Sequence, residues 1–338
     1  MGRRALTTEE DILQMLEHSR TAPVSGERMS QILGITRTTI SSSVERLRRA
    51  GYHIISKPHV GHQLLDQSDS LLPSDLLYGM PTSWAGRPVF HFDTLNSTQT
   101  KAQTLSSDEA PNGTLVVSET QTAGRGRRGK HYESPRGGIW CTLITRRAMP
   151  IESAGLLGLA AGIALATTIK SLFQIPATLK WPNDVMVGSR KLAGILVDIS
   201  AEDNIIQNTF IGLGLNANVS VSELPSHLRH STTSLSDFLS RHVDRRAILQ
   251  KYLVEIEGLI ATLSTPDGPA TITDAWISLP NMLGSRVQCR SWAGEDIEGV
   301  AVDIGRDGSL VIEIAETERL LFNGGSVQVL TTAERAFS

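Results

Sequence analysis

The residues from Gly124 to Gly129 read GRGRRG and follow a β-like run, Leu115-Val116-Val117. Glycines let backbone N–H groups approach an anion and take positive φ. Arginines add planar, permanently charged forks that suit carboxylate and phosphate. Such a loop can close over an acyl phosphate and hold it away from water. The same residues also describe a solvated basic turn or an RNA-binding loop, so the loop alone leaves the chemistry open. It lacks the βαβ context and glycine spacing of a dinucleotide-binding fingerprint, which excludes a Rossmann reading.

Other polar motifs flank it. Asn96-Ser97-Thr98-Gln99 precedes the loop, and Gln121 opens it. Lys180-Trp181-Pro182-Asn183-Asp184, Arg190-Lys191-Leu192-Ala193-Gly194-Ile195-Leu196 and Gly212-Leu213-Gly214-Leu215-Asn216 follow. The spacing from Asp184 to Lys191 fits a tight hairpin that carries both charges to one site; a surface ion pair is the plainer alternative. Ser97-Thr98 also suits a helix N-cap. Trp181 reads as core support, and GLGLN as a strand end.

In this order and spacing the motifs resemble the biotin–protein ligases, and the likeness runs through both flanking segments. The layout is similar to that of the bifunctional members, which also repress the biotin operon. The resemblance implies attack of the biotin carboxylate on the α-phosphate of ATP, giving biotinyl-5′-AMP and pyrophosphate, followed by attack of a carrier lysine on the acyl carbon. Two anions must be brought together, so cations have to screen their repulsion. Arg125, Arg127, Arg128, Lys191 and a Mg2+ ion are the candidates. By resemblance Ser97, Thr98, Gln99, Gln121, Arg125, Gly126, Arg127 and Lys191 hold biotin. The hydroxyl and amide groups of the first three supply donors and acceptors for its neutral ureido ring. Arg125, Arg128, Asn183 and Asn216 meet the nucleotide, and Lys191, Arg127 and Asp184 are the catalytic candidates. Asp184 either binds Mg2+ or helps deprotonate the incoming lysine. Gln99 stands where the family has Asn, and Tyr132 takes the packing role of the family's tryptophan after the loop.

The elements that must position these groups are legible in outline. Strand-like runs occur at Val89–Phe92, Thr114–Ser118, Ile139–Ile144, Ala177–Lys180, Val185–Val187, Leu192–Ile199 and Thr209–Leu215. Helical segments fit Ser97–Leu105, Ser153–Leu172, Ser234–Leu239 and Arg245–Leu263. Helices among hairpin-linked strands predict an α+β domain on a mixed sheet. The uncharged stretch Ala154–Ile169 is short for a membrane span of ~20 residues and rich in Ala and Gly. It reads as a buried helix packed closely on that sheet.

Before this domain, Thr7 and Glu10 form a capping box and Ile12, Leu13 and Leu16 give a helical stripe. A second helix is expected across Gly26–Leu33, with Met29, Ile32 and Leu33 inward, and a third from Thr36 to Ala50 on Ile40, Val44 and Leu47. Residues 52–56 and 63–65 would pair as a β-ribbon with Lys57–Gly61 at its tip. This describes a winged helix-turn-helix, with Arg37, Thr38, Thr39, Ser42, Arg46 and Lys57 facing DNA; a protein-interaction module is the alternative. Ser25-Gly26-Glu27 and Leu33-Gly34-Ile35-Thr36-Arg37 resemble the repressor segment of the bifunctional ligases. After Gly284 the chain alternates apolar and polar residues, with strands near Arg286–Ser291, Ile297–Asp303, Ser309–Ile314, Arg319–Phe322 and Val327–Leu330 and a turn at Asp307-Gly308. Five short strands predict an SH3-like small barrel, and Phe322-Asn323-Gly324-Gly325 resembles the family's last domain.

The expected organisation is therefore residues 1–66 winged helix-turn-helix, 67–86 linker with a short helix near Pro73–Tyr78, 87–278 catalytic domain and 279–338 SH3-like domain. The 338 residues carry a formal net charge of −3, so DNA binding must come from a local surface. Two cysteines in apolar runs, Cys141 and Cys289, indicate no disulfide framework and fit a reducing cytoplasm. The opening MGRRALTTEED lacks a hydrophobic signal core. Cytoplasmic residence without membrane attachment follows. The resemblance implies ATP, Mg2+ and biotin, with biotinyl-5′-AMP as corepressor. Its partners would be the biotin carboxyl carrier protein of acetyl-CoA carboxylase, operator DNA, and a second copy when adenylate is bound. Two alternatives stand beside it: a biotin-sensing repressor without ligase activity, and a ligase whose DNA-binding domain is non-regulatory.

Overall fold

The computed structural model describes residues 8–19, 22–49, 52, 54–58, 60–64, 69–291, 294–315 and 318–331. Thr7 of the expected capping box, Ala50, the ribbon residues His53 and Leu65, and the expected domain boundary at residue 66 lie outside them. The chain divides after Ser70 into two compact units.

In the first unit, α1 (Thr8–His18), α2 (Gly26–Leu33) and α3 (Arg37–Arg49) precede two strands, β1 (Ile54–Lys57) and β2 (Gly61–Leu64). Polar caps set the helix limits. Ser25 Oγ accepts from the Arg28 N–H at 3.1 Å, and Gly34 ends α2 at φ 66°. Thr36 Oγ1 accepts from the Thr39 N–H at 3.1 Å, so the third helix starts one residue later than expected. Ile12, Leu13, Leu16, Met29, Ile40, Val44 and Leu47 form the core. Ile32 was expected inside but is 60% exposed, because Met29 alone fills the buried stripe of this eight-residue helix. β1 and β2 pair antiparallel with Ile54 opposite Leu64, which gives the expected ribbon.

The second unit begins with α4 (Pro73–Leu77), β3 (Val89–Leu95), α5 (Thr98–Ser107), β4 (Leu115–Gln121), β5 (Ile139–Thr145), β6 (Met149–Pro150) and α6 (Ala154–Phe173). β7 (Thr178–Lys180), β8 (Asp184–Val187), β9 (Arg190–Glu202) and β10 (Ile205–Leu215) follow, then α7 (Ser226–Arg229), α8 (Leu235–Leu239), α9 (Arg245–Leu263) and α10 (Gly268–Ser278). The sheet order is β3-β4-β5-β10-β9-β8-β7, with β6 beside β10. Among the described residues β3 and β4 are the one strand pair that runs parallel, so the sheet is mixed as expected. One face carries α6, and α9 and α10 pack on α6; α5 lies against β4, β5 and β10. Strand alternation explains the two cores: Val117, Cys141 and Leu213 join the core that holds α6, whereas Val116, Ile144 and Phe210 lie under α5.

Helix α6 and the turn before it are long and apolar enough to cross a membrane, but 67% of the most apolar window is buried inside the protein. Its small residues permit close approach: a Cβ on Gly162 would lie 3.4 Å from Leu179 Cδ2, and one on Gly155 2.4 Å from the Asp307 carbonyl oxygen. The segment expected as a linker contributes Leu71, Leu76, Met80 and Ala85 to the same core. Glu257 on α9 clamps it by accepting the N–H groups of Ser83, Trp84 and Ala85 at 2.8, 2.9 and 2.8 Å.

The chain ends in β11 (Arg286–Arg290), β12 (Asp296–Ile304), β13 (Leu310–Ala315), β14 (Glu318–Phe322) and β15 (Ser326–Thr331), an antiparallel sheet ordered β14-β13-β12-β11-β15. All five expected strands form. Among the described residues β14 and β15 do not pair, so the sheet stays open where a closed barrel was expected. The link between them runs past β11 at Gly325, where a Cβ would lie 2.0 Å from the Arg290 oxygen, and delivers β15 to the far side of β11.

Candidate active site

The largest convergence of the singled-out side chains is a cavity of about 330 Å3 in the second unit, lined by all four motif groups and the loop. Its inner wall is the start of α5 against β5 and β10. Ser97 occupies the N-cap position without making a side-chain cap bond. Gln121 does that work from β4: its Oε1 accepts the Thr98 N–H at 2.7 Å, while its Nε2 donates to Ser134 Oγ at 2.9 Å. Ser97, Thr98 and Gln99 are buried. Gln99 Oε1 accepts from Thr142 Oγ1 at 3.0 Å, and Gln99 Nε2 donates to the Phe210 carbonyl at 3.1 Å. Thr142 Oγ1 also lies 2.9 Å from Thr98 Oγ1. The amide of Gln99 is therefore bonded within the protein, while Ser97, Thr98 and Gln99 all line the cavity. Gly212 makes this possible, since a Cβ there would lie 2.7 Å from Gln99 Oε1.

The arginine loop is the tip of a hairpin. Gly126 N donates to the Lys130 carbonyl at 2.8 Å and Tyr132 N to the Gly124 carbonyl at 2.9 Å. The backbone N–H of Gly126 is thus spent on the hairpin. Positive φ falls on Arg128 (60°) and Gly129 (67°). A non-glycine residue in that region stores local strain, a common mark of ligand-holding loops. Arg125 approaches Asp198 at 3.9 Å and Gln103 Oε1 at 3.4 Å. Arg128 Nη2 reaches the Ser291 carbonyl at 3.5 Å. Arg127 turns inward; burial and the neighbouring Arg128 charge lower its pKa, and Asp184 opposes them.

Opposite the loop, β8 and β9 form the expected hairpin. Lys191 Nζ lies 2.6 Å from Asp184 Oδ1. The Lys191 backbone is held on its other side, donating to the Ser231 carbonyl at 2.8 Å and accepting from Thr233 N at 2.9 Å. Asn183 Nδ2 donates to the Ile195 carbonyl at 2.7 Å, and Asn216 Nδ2 to that of Thr233 at 3.1 Å. Both amides line the cavity while bracing the turns around it. Trp181 is buried, donates from Nε1 to the Gly308 carbonyl at 2.9 Å and meets Phe322 edge-on at 5.6 Å, as core support requires. Among the described residues no group of three or more His, Cys, Asp or Glu side chains could hold a metal.

On β4, ahead of the loop in sequence, Glu119 forms a buried ion pair with Arg245 at 2.8 Å, with His91 Nε2 3.1 Å from the other carboxylate oxygen. Burial pushes the Glu119 carboxyl up, but the His91 hydrogen bond and the Arg245 charge win and hold it at about 2. This pair fixes β4 two residues before Gln121.

Residues 91–216 match the biotin/lipoate A/B protein ligase family, 8–63 an HTH domain and 282–330 the biotin protein ligase C-terminal domain. The chain is 31% identical to the bifunctional ligase/repressor BirA of Bacillus subtilis over 318 residues, covering 94% of this chain and 97% of that protein. The chain belongs to the BirA family. It is also 33% identical over 207 residues to the biotin–[acetyl-CoA-carboxylase] ligase of Mycobacterium tuberculosis, covering 60% of this chain and 74% of that one. The biotin protein ligase of Aquifex aeolicus in complex with biotin and ATP superposes with a TM-score of 0.62 at 25% identity, covering 71% of this chain and 98% of that one.

In this BirA-family chain the cavity gathers Ser97, Thr98, Gln99, Gln121, Arg125, Gly126, Arg127, Arg128, Asn183, Asp184, Lys191 and Asn216. The DNA-facing candidates lie in the other unit. Arg37, Thr38, Ser42 and Lys57 are exposed, and Thr39 is half-buried beside its helix cap. Arg46 donates from Nε to Glu9 Oε1 at 2.6 Å and from Nη2 to Ser43 Oγ at 2.8 Å, so its charge is engaged within the unit. Sequence reasoning missed Thr142 and Ser134 and the spatial role of Gly194, Gly212 and Gly214. The alternation Gly212-x-Gly214 carried a signal: two glycines on one strand face mark a surface that something else must approach.

Proposed function

We propose that the chain condenses biotin with ATP to biotinyl-5′-AMP and transfers the biotinyl group to the biotin carboxyl carrier protein of acetyl-CoA carboxylase. It is a biotin–protein ligase that also acts as a transcriptional repressor. The observation that carries the reading is the Lys191–Asp184 pair, 2.6 Å apart at a cavity shared with Ser97, Thr98, Gln121 and Arg127. A sensor without ligase activity has no need of a lysine held beside a carboxylate opposite an arginine loop.

In this reading Ser97 and Thr98 bind the ureido ring, and Gln99 and Gln121 set their geometry. Arg127, Gly126 and Arg125 cover the acyl phosphate, and Lys191 bridges the biotin carboxylate and the α-phosphate. Its ammonium screens two anions that repel each other and neutralises charge that grows in the transition state. Arg128, Asn183 and Asn216 serve the nucleotide side. Asp184 fits a Mg2+ ion, which commonly takes one protein carboxylate and completes its shell with phosphate oxygens and water. When bound, the ion would neutralise phosphate charge. Alternatively, Asp184 takes a proton from the carrier lysine. The C-terminal strands, SH3-like in their number and shortness, close the nucleotide end.

The domains run as 1–66 winged helix-turn-helix, 67–86 linker, 87–278 catalytic and 279–338 C-terminal. Biotinyl-5′-AMP acts as corepressor: it favours a homodimer, which joins two DNA half-sites and raises affinity through effective concentration. The protein works in the cytoplasm, and the DNA surface is built on Arg37, Thr38, Thr39, Ser42, Arg46 and Lys57. Two measurements test the reading. Exchange of pyrophosphate into ATP should require biotin; exchange that is absent or indifferent to biotin contradicts it. Sedimentation with biotin and ATP should reveal a dimer that binds DNA more tightly, and an unchanged monomer removes the corepressor switch.

A further inference from the structure

Tyr132 occupies an unusual place for a residue at the base of a loop. Its backbone closes the arginine hairpin through the 2.9 Å bond to Gly124, and its phenol donates to the Gly214 carbonyl at 2.9 Å. Its ring fills the space left by two register partners on β9 and β10, Gly194 and Gly214, where added Cβ atoms would lie 3.0 and 2.8 Å from it. Trp140 holds the ring edge-on at 6.0 Å. Over the ring, 5.4 Å from its centroid, stands Lys191 Nζ.

From this we infer that Tyr132 is a positioning residue for Lys191, holding the ammonium in the site through the face of its ring. The inference deepens the ligase reading and rests on it. The Lys191 backbone is pinned, so the freedom that remains is in its four-carbon stem. The ammonium at the end of that stem meets Asp184 at 2.6 Å and the ring face at 5.4 Å. When substrate anions enter, the ammonium must turn partly away from Asp184 toward them. A ring face attracts a cation without presenting a competing charge, so it can keep the ammonium in place while its anionic partners change. The same ring belongs to the arginine hairpin. A displacement of the hairpin therefore moves the surface on which Lys191 rests, and the loop and the lysine act together.

The experiment is a cycle of Tyr132→Leu and Lys191→Ala, singly and together, read as pyrophosphate release at saturating ATP and biotin and as biotin affinity. Tyr132→Leu should lower the maximal rate about tenfold with little change in biotin affinity, and should cost almost nothing further once Lys191 is Ala. Tyr132→Phe keeps the ring and should keep most of the rate. Equal losses in both backgrounds, or a Phe variant as slow as the Leu variant, would overturn the inference while leaving the ligase reading intact. Loss of biotin-dependent release in the unaltered protein would remove both. Should Tyr132→Leu fail to fold, progressively fluorinated phenylalanines at position 132 preserve shape while weakening the ring face. The rate should fall with each fluorine, and a flat series overturns the inference.

Discussion

Lys191 and Asp184 meet at 2.6 Å across the β8–β9 hairpin, where a register shift between Val185 and Met186 brings Lys191 opposite Met186. The ammonium then points back along the hairpin to the carboxylate. Lys191→Ala should cripple adenylate formation without unfolding the protein, because the residue is partly exposed and its charge acts on the reacting anions. The expected loss is ~3 kcal/mol of transition-state stabilisation, of the order of a hundredfold in rate. Single-turnover pyrophosphate release measures it, and near-normal release would rule out the role.

Gly212→Ala should weaken biotin binding more than it weakens the fold. The new methyl lies 2.7 Å from Gln99 Oε1 and 3.2 Å from the Leu196 carbonyl oxygen. Gln99 must then leave Thr142 or Phe210, and the start of α5 shifts with it. Overpacking of this kind costs about 1–3 kcal/mol, which titration should show as a five- to hundredfold rise in the biotin dissociation constant. Unchanged affinity would mean that Gln99 does not set the ureido subsite.

Glu119 predicts a pH dependence of stability. Its carboxyl is held at about 2 against an ordinary 4.5, so the folded state binds its proton less readily than the unfolded chain. The resulting stability is complete above the unfolded value and is lost as pH falls through the window from 4.5 toward 2. A shift of this size is worth about 3 kcal/mol. Denaturant titrations across that window should show the fall, and Glu119→Gln should flatten it. A parallel slope in the variant would locate the acid sensitivity elsewhere.

The reasons for what was and was not legible are physical. Apolar and uncharged runs located α6, α9 and most of the sheet strands, because an element's burial is written in its own residues. The Asp184–Lys191 hairpin was legible from the short spacing between its two charged residues. Partners from distant strands were not. Nothing near Gln121 announces that its amide caps α5, since that depends on the parallel pairing of β3 and β4. Gln99 was placed at the biotin site by resemblance; it does line the cavity, but its bonds to Thr142 and Phe210 come from across the sheet and could not be read from its own segment. Closure of the C-terminal strands depends on whether β14 meets β15, which strand alternation does not encode. The expected linker, 67–86, was read from its lack of a long regular pattern; the ties of its short helix and of residues 83–85 to α9 and the core come from residues distant in sequence.

Removal of residues 1–70 should abolish DNA binding and leave adenylate synthesis, because the chain divides after Ser70 and the cavity is lined wholly by later residues. The division argues for cutting there rather than at 66. A mobility-shift assay and pyrophosphate release on the same truncation check the two halves. A folded truncation unable to make adenylate would show that the first unit is part of the catalytic machinery.

The central claim is that the cavity holding Lys191, Asp184 and the arginine loop activates biotin and passes it to a carrier lysine. The most direct measurement incubates the full chain with biotin, ATP and a biotin carboxyl carrier domain, and follows the carrier's mass. The account predicts one biotinyl group on the carrier, dependent on ATP and lost in Lys191→Ala. A carrier of unchanged mass in the presence of protein that binds biotin would contradict it.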